Sequence, residues 1–216
     1  HSAEVGYRKT IAEENTISVT GFYRHRKGVR ERVRVAYEPG VTLDSLINAG
    51  NDRTFGVELS AQVKAARWWS MNINGSVFDY KFDADYEGCT DSKNTGYTVS
   101  MINNFTLGKT SRLQFDANFV GPTVLTQGRE DAYCYFDLAY RQQLFKNKIS
   151  ASIVAHDVFR TARYNNYRIS PTLNSTTHVR PRYPNIVLAV SYVFNSKHKE
   201  HTGAVSKGAV FEGKDF

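Results

Sequence analysis

The sequence predicts an all-β protein built from long antiparallel strands. Its 216 residues include 13 Tyr, 13 Phe and 2 Trp but only 5 Pro, and this composition favours strands over helices. Apolar and polar residues alternate with period two over stretches of about 9 to 12 residues, and the connections between these stretches alternate between short and long. The length fits one domain, and no apolar run is long enough for a transmembrane helix.

The first strand is predicted at the start of the chain, where Ala3, Val5 and Tyr7 alternate with polar residues and glycine. The clearest strand covers residues 55–65, in which six apolar residues alternate without exception with Gly, Glu, Ser, Gln and Lys. The remaining predicted strands are 16–24, 69–77, 97–107, 113–119, 133–143, 149–159 and 186–194. The sequence therefore predicts about nine strands, each longer than the usual globular strand.

The predicted connections fall into two classes. Four are short, at residues 11–15, 66–68, 108–110 and 144–148, and four are long, at residues 26–53, 83–94, 121–131 and 160–184. Strict alternation of short turns and long loops is typical of a transmembrane β-barrel, whose strands also need about 9 to 11 residues to cross the membrane. A soluble sandwich offers no reason for its loops to be segregated by end.

Aromatic residues lie where a barrel would carry its interfacial girdle. Trp68, Trp69 and Phe145 are next to short turns, and Tyr192 and Phe194 close the last predicted strand. The alternative is that these side chains cap a soluble core. We favour the girdle because the second face of the strands, rich in Ser, Asn, Gln, Glu and Lys, is too polar for a closed small core.

The strand number predicts that the barrel is incomplete. A complete single-chain bacterial barrel has an even number of strands and both ends on the periplasmic side, whereas about nine strands leave His1 on the outer side. We therefore expect residues 1–195 to be the C-terminal strands of a larger barrel whose first strands precede His1. Residues 196–216 are expected to form a polar tail, in which His198 and His201 are solvated rather than metal ligands.

Composition and motifs exclude several other functions. The net charge is +7, but the basic residues concentrate in two predicted loops and no nucleic-acid-binding motif is present, so we expect no nucleic acid partner. The sequence has no catalytic motif, and we expect neither enzymatic activity nor a cofactor. Asp83, Asp85 and Glu87 lack the spacing of a calcium loop. Cys89 and Cys134 either form a disulfide or remain two thiols.

Several segments resemble the barrels of Bacteroidetes-type TonB-dependent outer-membrane receptors. They are Thr54–Leu59 (TFGVEL), Arg67–Ser76 (RWWSMNINGS), Asp157–Thr161 (DVFRT) and Val190–Phe194 (VSYVF), and the resemblance extends from His1 to about Asn195. It implies the last part of a barrel of about 22 strands around a plug. The plug, the energy-coupling box and the first strands of that family are absent from these 216 residues.

The resemblance implies an outer-membrane location and the import of a ligand that the sequence does not identify. The implied partners are outer-membrane lipid, the missing N-terminal strands and plug, TonB through that plug, and a surface lipoprotein. Two alternatives remain. A smaller closed barrel acting as an anchor or adhesin would need an even strand number, and a soluble ligand-binding barrel would need its apolar face turned inward.

The candidate binding residues lie in the last long connection. This segment contains several arginines interleaved with tyrosines and no acidic residue. Arginine binds phosphate or carboxylate groups through a planar fork, so we expect contact with an anionic ligand or with lipopolysaccharide. A generic basic outer loop is the alternative. The candidate residues are Arg163, Tyr164, Tyr167, Arg168, Arg180 and Arg182.

Overall fold

The computed structural model of the protein describes residues 1–12, 14–182 and 184–194. Every regular element in these residues is a β-strand, as the sequence predicted. None of them forms a helix long and apolar enough to cross a membrane, a finding that does not address crossing by strands. The expected tail at 196–216, with His198 and His201, lies outside the described residues.

Nine of the described strands form one antiparallel main sheet, which confirms the predicted number. In sheet order they are β1 (Ser2–Ile11), β2 (Asn15–Glu38), β3 (Val41–Ala66), β4 (Trp69–Ala84), β5 (Ser92–Thr106), β6 (Ser111–Val120), β9 (Tyr133–Leu144), β10 (Ile149–His156) and β13 (Asn185–Tyr192). Each strand pairs with the next, so β1 and β13 are the two edges. Every residue of both edge strands is exposed.

One end of the main sheet, which we call the short-turn end, carries the tight connection between β1 and β2 and the three tight turns at residues 67–68, 107–110 and 145–148. Phe145, Lys146 and Asn147 all have positive φ, at 51°, 55° and 67°, so this turn reverses the chain with three consecutive left-handed residues. The opposite end, the long-loop end, carries the remaining connections. The four short turns were therefore predicted at the correct end of the sheet.

The prediction that residues 26–53 form a loop is wrong. Strands β2 and β3 instead continue past the rest of the sheet and meet at a turn that contains Gly40, with φ of 78°. Valines 29, 33 and 35 alternate with arginines 30, 32 and 34, so one face of this hairpin extension is apolar and the other is charged. The many charged residues of this segment made the alternation difficult to recognise in the sequence. A bulge at Gly50, where a Cβ would lie 2.1 Å from the Asp83 carbonyl oxygen, sets the register.

The long connections at residues 121–131 and 160–184 also contain unpredicted strands. They hold β7 (Thr123–Leu125), β8 (Gly128–Glu130), β11 (Tyr164–Ser170) and β12 (Leu173–Val179). These strands form a second sheet in the order β12-β11-β8-β7, whose central pair joins two different connections. The sequence signal was weak because the strands are short and polar. The connection predicted at residues 83–94 shortens to 85–91.

The hydrophobic core lies at the long-loop end. Within the described part of the chain, the buried cluster comprises Val29, Val33, Ala49, Phe82 and Cys89. The carboxylate of Asp52, 1% exposed, lies beside Phe82 in the strand register and accepts hydrogen bonds from Arg26 Nε at 2.9 and 3.0 Å. The stretch of sheet nearer the short turns contributes no residue to this cluster, as expected for a single-layer wall rather than for a sandwich.

Candidate functional site

Strand register collects the apolar residues of the main sheet onto one face, which we call the apolar face. Residues directly opposite each other on adjacent antiparallel strands share a face. The row Val19, Leu59, Gly75, Val99 and Phe119 crosses five strands, and other rows continue to β13 through Leu138, Ile153 and Leu188. Leu59 is 42% exposed and Leu188 is 71% exposed. An apolar surface this wide and this exposed requires a nonaqueous partner.

The other side of the same strands, the polar face, carries mainly polar side chains that bond one another across strands. Ser60 Oγ donates to Asn74 Oδ1 at 2.9 Å, and the Ser76 and Thr98 hydroxyls lie 2.7 Å apart. Glu58, Gln62, Asn72 and Gln114 all lie on this face, opposite Val57, Leu59, Ala61, Val63, Met71, Ile73, Phe115 and Leu188. Hydrated side chains on one face and apolar ones on the other match the wall of a water-filled or plugged barrel.

Two groups of aromatic rings bound the apolar face. At the short-turn end, the ring centroids of Trp68, Trp69 and Phe105 lie 6.0 to 6.2 Å apart, and Trp69 Nε1 donates to Asn103 Oδ1 at 3.3 Å. At the long-loop end, the Tyr97 ring stacks on Phe119 at 5.7 Å. Phe105 and Tyr97 are eight residues apart on β5, which corresponds to about 27 Å along the strand. This span suits a tilted strand that crosses a membrane.

The structure separates the predicted basic residues into two sets. Tyr164, Tyr167 and Arg168 lie on β11, whereas Arg163 precedes that strand and Arg180 and Arg182 follow β12. Tyr164 pairs with Val179, so the register brings Arg163 and Arg180, each one residue beyond that pair, to the same end of the hairpin. The carbonyl oxygen of Arg182 accepts a hydrogen bond from Arg160 Nη2 at 3.1 Å, which ties the segment after β12 to the segment before β11.

Residues of the 121–131 connection, including the acidic Asp131, contact the candidate residues on β11. The hydroxyl of Tyr167 donates to Asp131 Oδ2 at 3.1 Å, and this bond raises the pKa of Tyr167. The guanidinium of Arg129 lies 4.9 Å from the centroid of the same ring. Tyr164 packs edge-on against Tyr133 at 4.7 Å. The predicted set is therefore a mixed aromatic and charged surface and not a purely basic one.

Gln127, which the sequence analysis missed, links the outer segments. It is 4% exposed and lies in the turn between β7 and β8. Its Nε2 donates to the carbonyl oxygens of Arg34 and Gly88, at 3.2 and 3.1 Å, and its own carbonyl oxygen accepts the Ile169 N–H at 3.2 Å. One residue thus ties the long hairpin, the 85–91 loop and the second sheet together. A lone glutamine in a loop gives no sequence signal for this role.

The structure also shows where the two cysteines and the acidic residues of the predicted 83–94 connection lie. Cys89 is buried in the core cluster, Cys134 lies opposite Phe119 on the apolar face, and both are free thiols. Asp83 forms ion pairs with Lys81 and Arg53, which lower the pKa of its carboxyl, and Asp85 accepts a hydrogen bond from Asn51. No cluster of His, Cys, Asp and Glu in the described residues could hold a metal ion.

Comparison with known proteins gives matches that agree with this geometry. The model of the "Outer membrane protein beta-barrel family" matches residues 1–192. The pesticin receptors of Yersinia pestis and Yersinia enterocolitica are 36% identical to the chain over 84 residues, or 39% of its length. The crystal structure of the ferric yersiniabactin uptake receptor FyuA from Yersinia pestis superposes on 88% of the chain with a TM-score of 0.66 at 22% identity.

The chain is short beside these proteins. It spans 12% of the length of each pesticin receptor and 29% of the FyuA chain. At 22% identity the likeness to FyuA shows the fold alone. The names of these matches are those of receptors and not of enzymes, in line with the absence of a catalytic motif from the sequence.

Proposed function

We propose that the main sheet of this chain is part of the wall of a TonB-dependent receptor that imports a ligand. The premise is that the chain belongs to the outer membrane protein beta-barrel family and is therefore an outer-membrane protein. The apolar face carries this proposal. It spans about 27 Å between two aromatic groups along β5, it is exposed, and it is backed by a polar face. A wall with these two faces separates lipid from an aqueous or plugged lumen.

The two edges of the main sheet support the proposal that further strands complete the barrel. Strands β1 and β13 each have one paired side, and their free backbone groups would each cost several kcal/mol in lipid. We infer that strands outside these 216 residues pair with both edges and enclose a plug. The chain's coverage of 29% of the FyuA structure supports this reading. Residues 1–195 then supply wall strands together with their turns and outer loops, and the polar sequence 196–216 follows them as a tail.

The turn lengths support an orientation. Outer-membrane barrels have short periplasmic turns and longer extracellular loops, so the short-turn end faces the periplasm and the long-loop end faces outward. In this orientation the second sheet and the long hairpin form the outer surface, and TonB would act on the plug from the opposite side. Membership of the Bacteroidetes-type group, with a lipoprotein at the outer surface, rests on the sequence pattern at residues 54–59 and 67–76.

Expression of the 216-residue chain alone tests the barrel proposal. Because both edges lack a partner, we expect the isolated chain to show no heat-modifiable band in detergent electrophoresis. The same chain with its preceding strands and plug should show one. A heat-modifiable closed barrel formed by the 216 residues alone would overturn the proposal and favour the smaller barrel that serves as an anchor or adhesin.

We propose that the imported ligand or lipopolysaccharide contacts Arg163, Tyr164, Tyr167, Arg168, Arg180 and Arg182 at the outer surface. Support comes from the exposed guanidinium groups at the base of the β11–β12 hairpin and from the tyrosines beside them. Exchange of Arg163, Arg180, Arg182 and Arg168 for Gln in the intact receptor should weaken anionic ligand uptake, most strongly at low salt. Normal uptake by this folded variant at low ionic strength would show that the charge is incidental.

A further inference from the structure

Three basic residues form a row across the apolar side of the main sheet, just above its outer aromatic boundary. Arg53 on β3 is directly opposite Lys81 on β4, and Lys81 is directly opposite Lys93 on β5. They share a face with Phe55, because Arg53 lies two residues from Phe55 along β3. We call Arg53, Lys81 and Lys93 the basic row.

The basic row contradicts the usual rules of strand pairing. Like charges directly opposite each other on neighbouring strands destabilise a sheet. Asp83 compensates two of them, since its carboxylate lies 2.6 Å from Lys81 Nζ and 3.2 Å from Arg53 Nη2, and Asp79 lies 3.5 Å from Lys93 Nζ. Three cations and two carboxylates leave one positive charge, and the side chain of Lys93 remains 69% exposed. Like charges paired across strands and not fully neutralised by neighbouring carboxylates indicate a functional surface.

The position of the basic row along the strands, just beyond the apolar face, places it beside the lipid headgroups. The ring of Phe55, 57% exposed, marks the outer limit of the apolar face on β3. Arg53 lies two residues further out, or about 7 Å along the strand. The headgroup region occupies roughly 5 to 7 Å on each side of the hydrocarbon core, so the cations reach this layer. The apolar face is the lipid contact proposed above, and the basic row continues it without a break.

From this placement, and on the orientation given above, we propose that the basic row binds the phosphate groups of anionic lipids in the outer leaflet of the outer membrane. Charge complementarity and continuity with the apolar face argue for a lipid and not for a soluble anion. The second sheet, with its own arginines, belongs to the aqueous outer surface.

Native mass spectrometry of the full-length protein with purified lipid A tests this proposal. Exchange of Arg53, Lys81 and Lys93 for Gln should weaken lipid A binding roughly tenfold, since each basic side chain near an anionic surface contributes to the attraction. The matched control exchanges Arg67, Lys109 and Lys146, three exposed cations in the short turns, for Gln, which changes the charge equally, and it should bind lipid A as the unmodified protein does. Equal loss in both variants, or no loss in the first, would overturn the proposal.

Two further arms keep the test decisive. Dephosphorylated lipid A should bind the unmodified protein and the triple variant equally, and inorganic phosphate in large molar excess should not displace lipid A. Displacement by phosphate would identify a site for soluble anions and overturn the proposal. A second variant, Asp79→Asn/Asp83→Asn, serves if the triple variant does not fold. It has two fewer negative charges beside the basic row, so it should bind lipid A several-fold more tightly than the unmodified protein. Unchanged binding of lipid A by this variant would overturn the proposal. The heat-modifiability assay of the barrel reports folding separately from lipid binding.

Discussion

The side-chain amide of Gln127 pairs with the backbone of Arg34 as a strand would. The Arg34 N–H donates to Gln127 Oε1 at 2.8 Å, and Gln127 Nε2 donates back to the Arg34 carbonyl oxygen at 3.2 Å. Arg34 lies on the part of β2 that extends beyond β1, so this edge of the long hairpin has no strand beside it. A second turn contributes to the same edge, since the Ala36 N–H donates to Thr172 Oγ1 at 3.2 Å.

Exchange of Gln127 for Ala should therefore loosen the outer end and leave the barrel wall intact. The variant removes three hydrogen bonds, each worth about 1 kcal/mol, so amide hydrogen exchange around Arg34 should accelerate roughly tenfold or more. Exchange in the strands between the aromatic groups should not change. Gln62→Ala, the same deletion on the polar face of β3, is the matched control. Unaltered protection at Arg34 would show that the pairing contributes little.

Neighbouring residues on β3 should respond very differently to the same new charge. Leu59 lies on the apolar face and Ser60 on the polar face. Leu59→Arg should lower the free energy of unfolding in lipid by about 2 to 4 kcal/mol, because an arginine near the bilayer midplane faces hydrocarbon. Ser60→Arg should cost much less. Denaturant titration of the full receptor in lipid vesicles measures both, and equal losses would contradict the assignment of faces.

Spin labels can test the same assignment position by position. Labels on Val57, Leu59, Ala61, Val63, Met71, Ile73, Phe115 and Leu188 should collide with dissolved oxygen, which partitions into lipid. Labels on Glu58, Gln62, Asn72 and Gln114 should collide with a polar relaxation agent instead. The reason is the opposite facing of the two sets in the strand registers. Equal accessibility of both sets would rule out a membrane wall.

Cys89 should be a slow and pH-sensitive thiol. Burial raises the pKa of its thiol, because the thiolate would lose its hydration among neighbours such as Val33 and Phe82. The folded state favours the neutral thiol, so the outer core should lose stability as the pH rises through the ordinary thiol range and above it. In a Cys134→Ser variant, alkylation of Cys89 at pH 8 should be roughly several-fold slower than after denaturation. Equal rates would show that this core is open.

A matched variant completes that experiment and settles the disulfide left open by the sequence. In Cys89→Ser the remaining thiol, Cys134, lies opposite Phe119 on the apolar face and should react with apolar maleimides in lipid. The unmodified protein should yield two free thiols by intact mass, since both cysteines are free in the structure. A mass lower by two hydrogens would indicate that the two cysteines are joined.

The sequence by itself determined the main sheet of this protein. Alternation from Phe55 to Ala65 fixes which side chains share a face, because successive residues of a strand point in opposite directions. Turn lengths then fix which strand ends lie together. These are local properties, so nine strands, two faces and two unlike ends were all predictable without coordinates.

Only the tertiary structure decided what lies at the outer end. The basic row joins Arg53, Lys81 and Lys93, which are 28 and 12 residues apart, and only strand register makes them neighbours. Gln127 meets Arg34 from 93 residues away through two hydrogen bonds. The second sheet likewise pairs Tyr167 with Arg129 from two separate connections. Register and loop packing depend on bulges and long-range hydrogen bonds, whose effects are not encoded in any local periodicity.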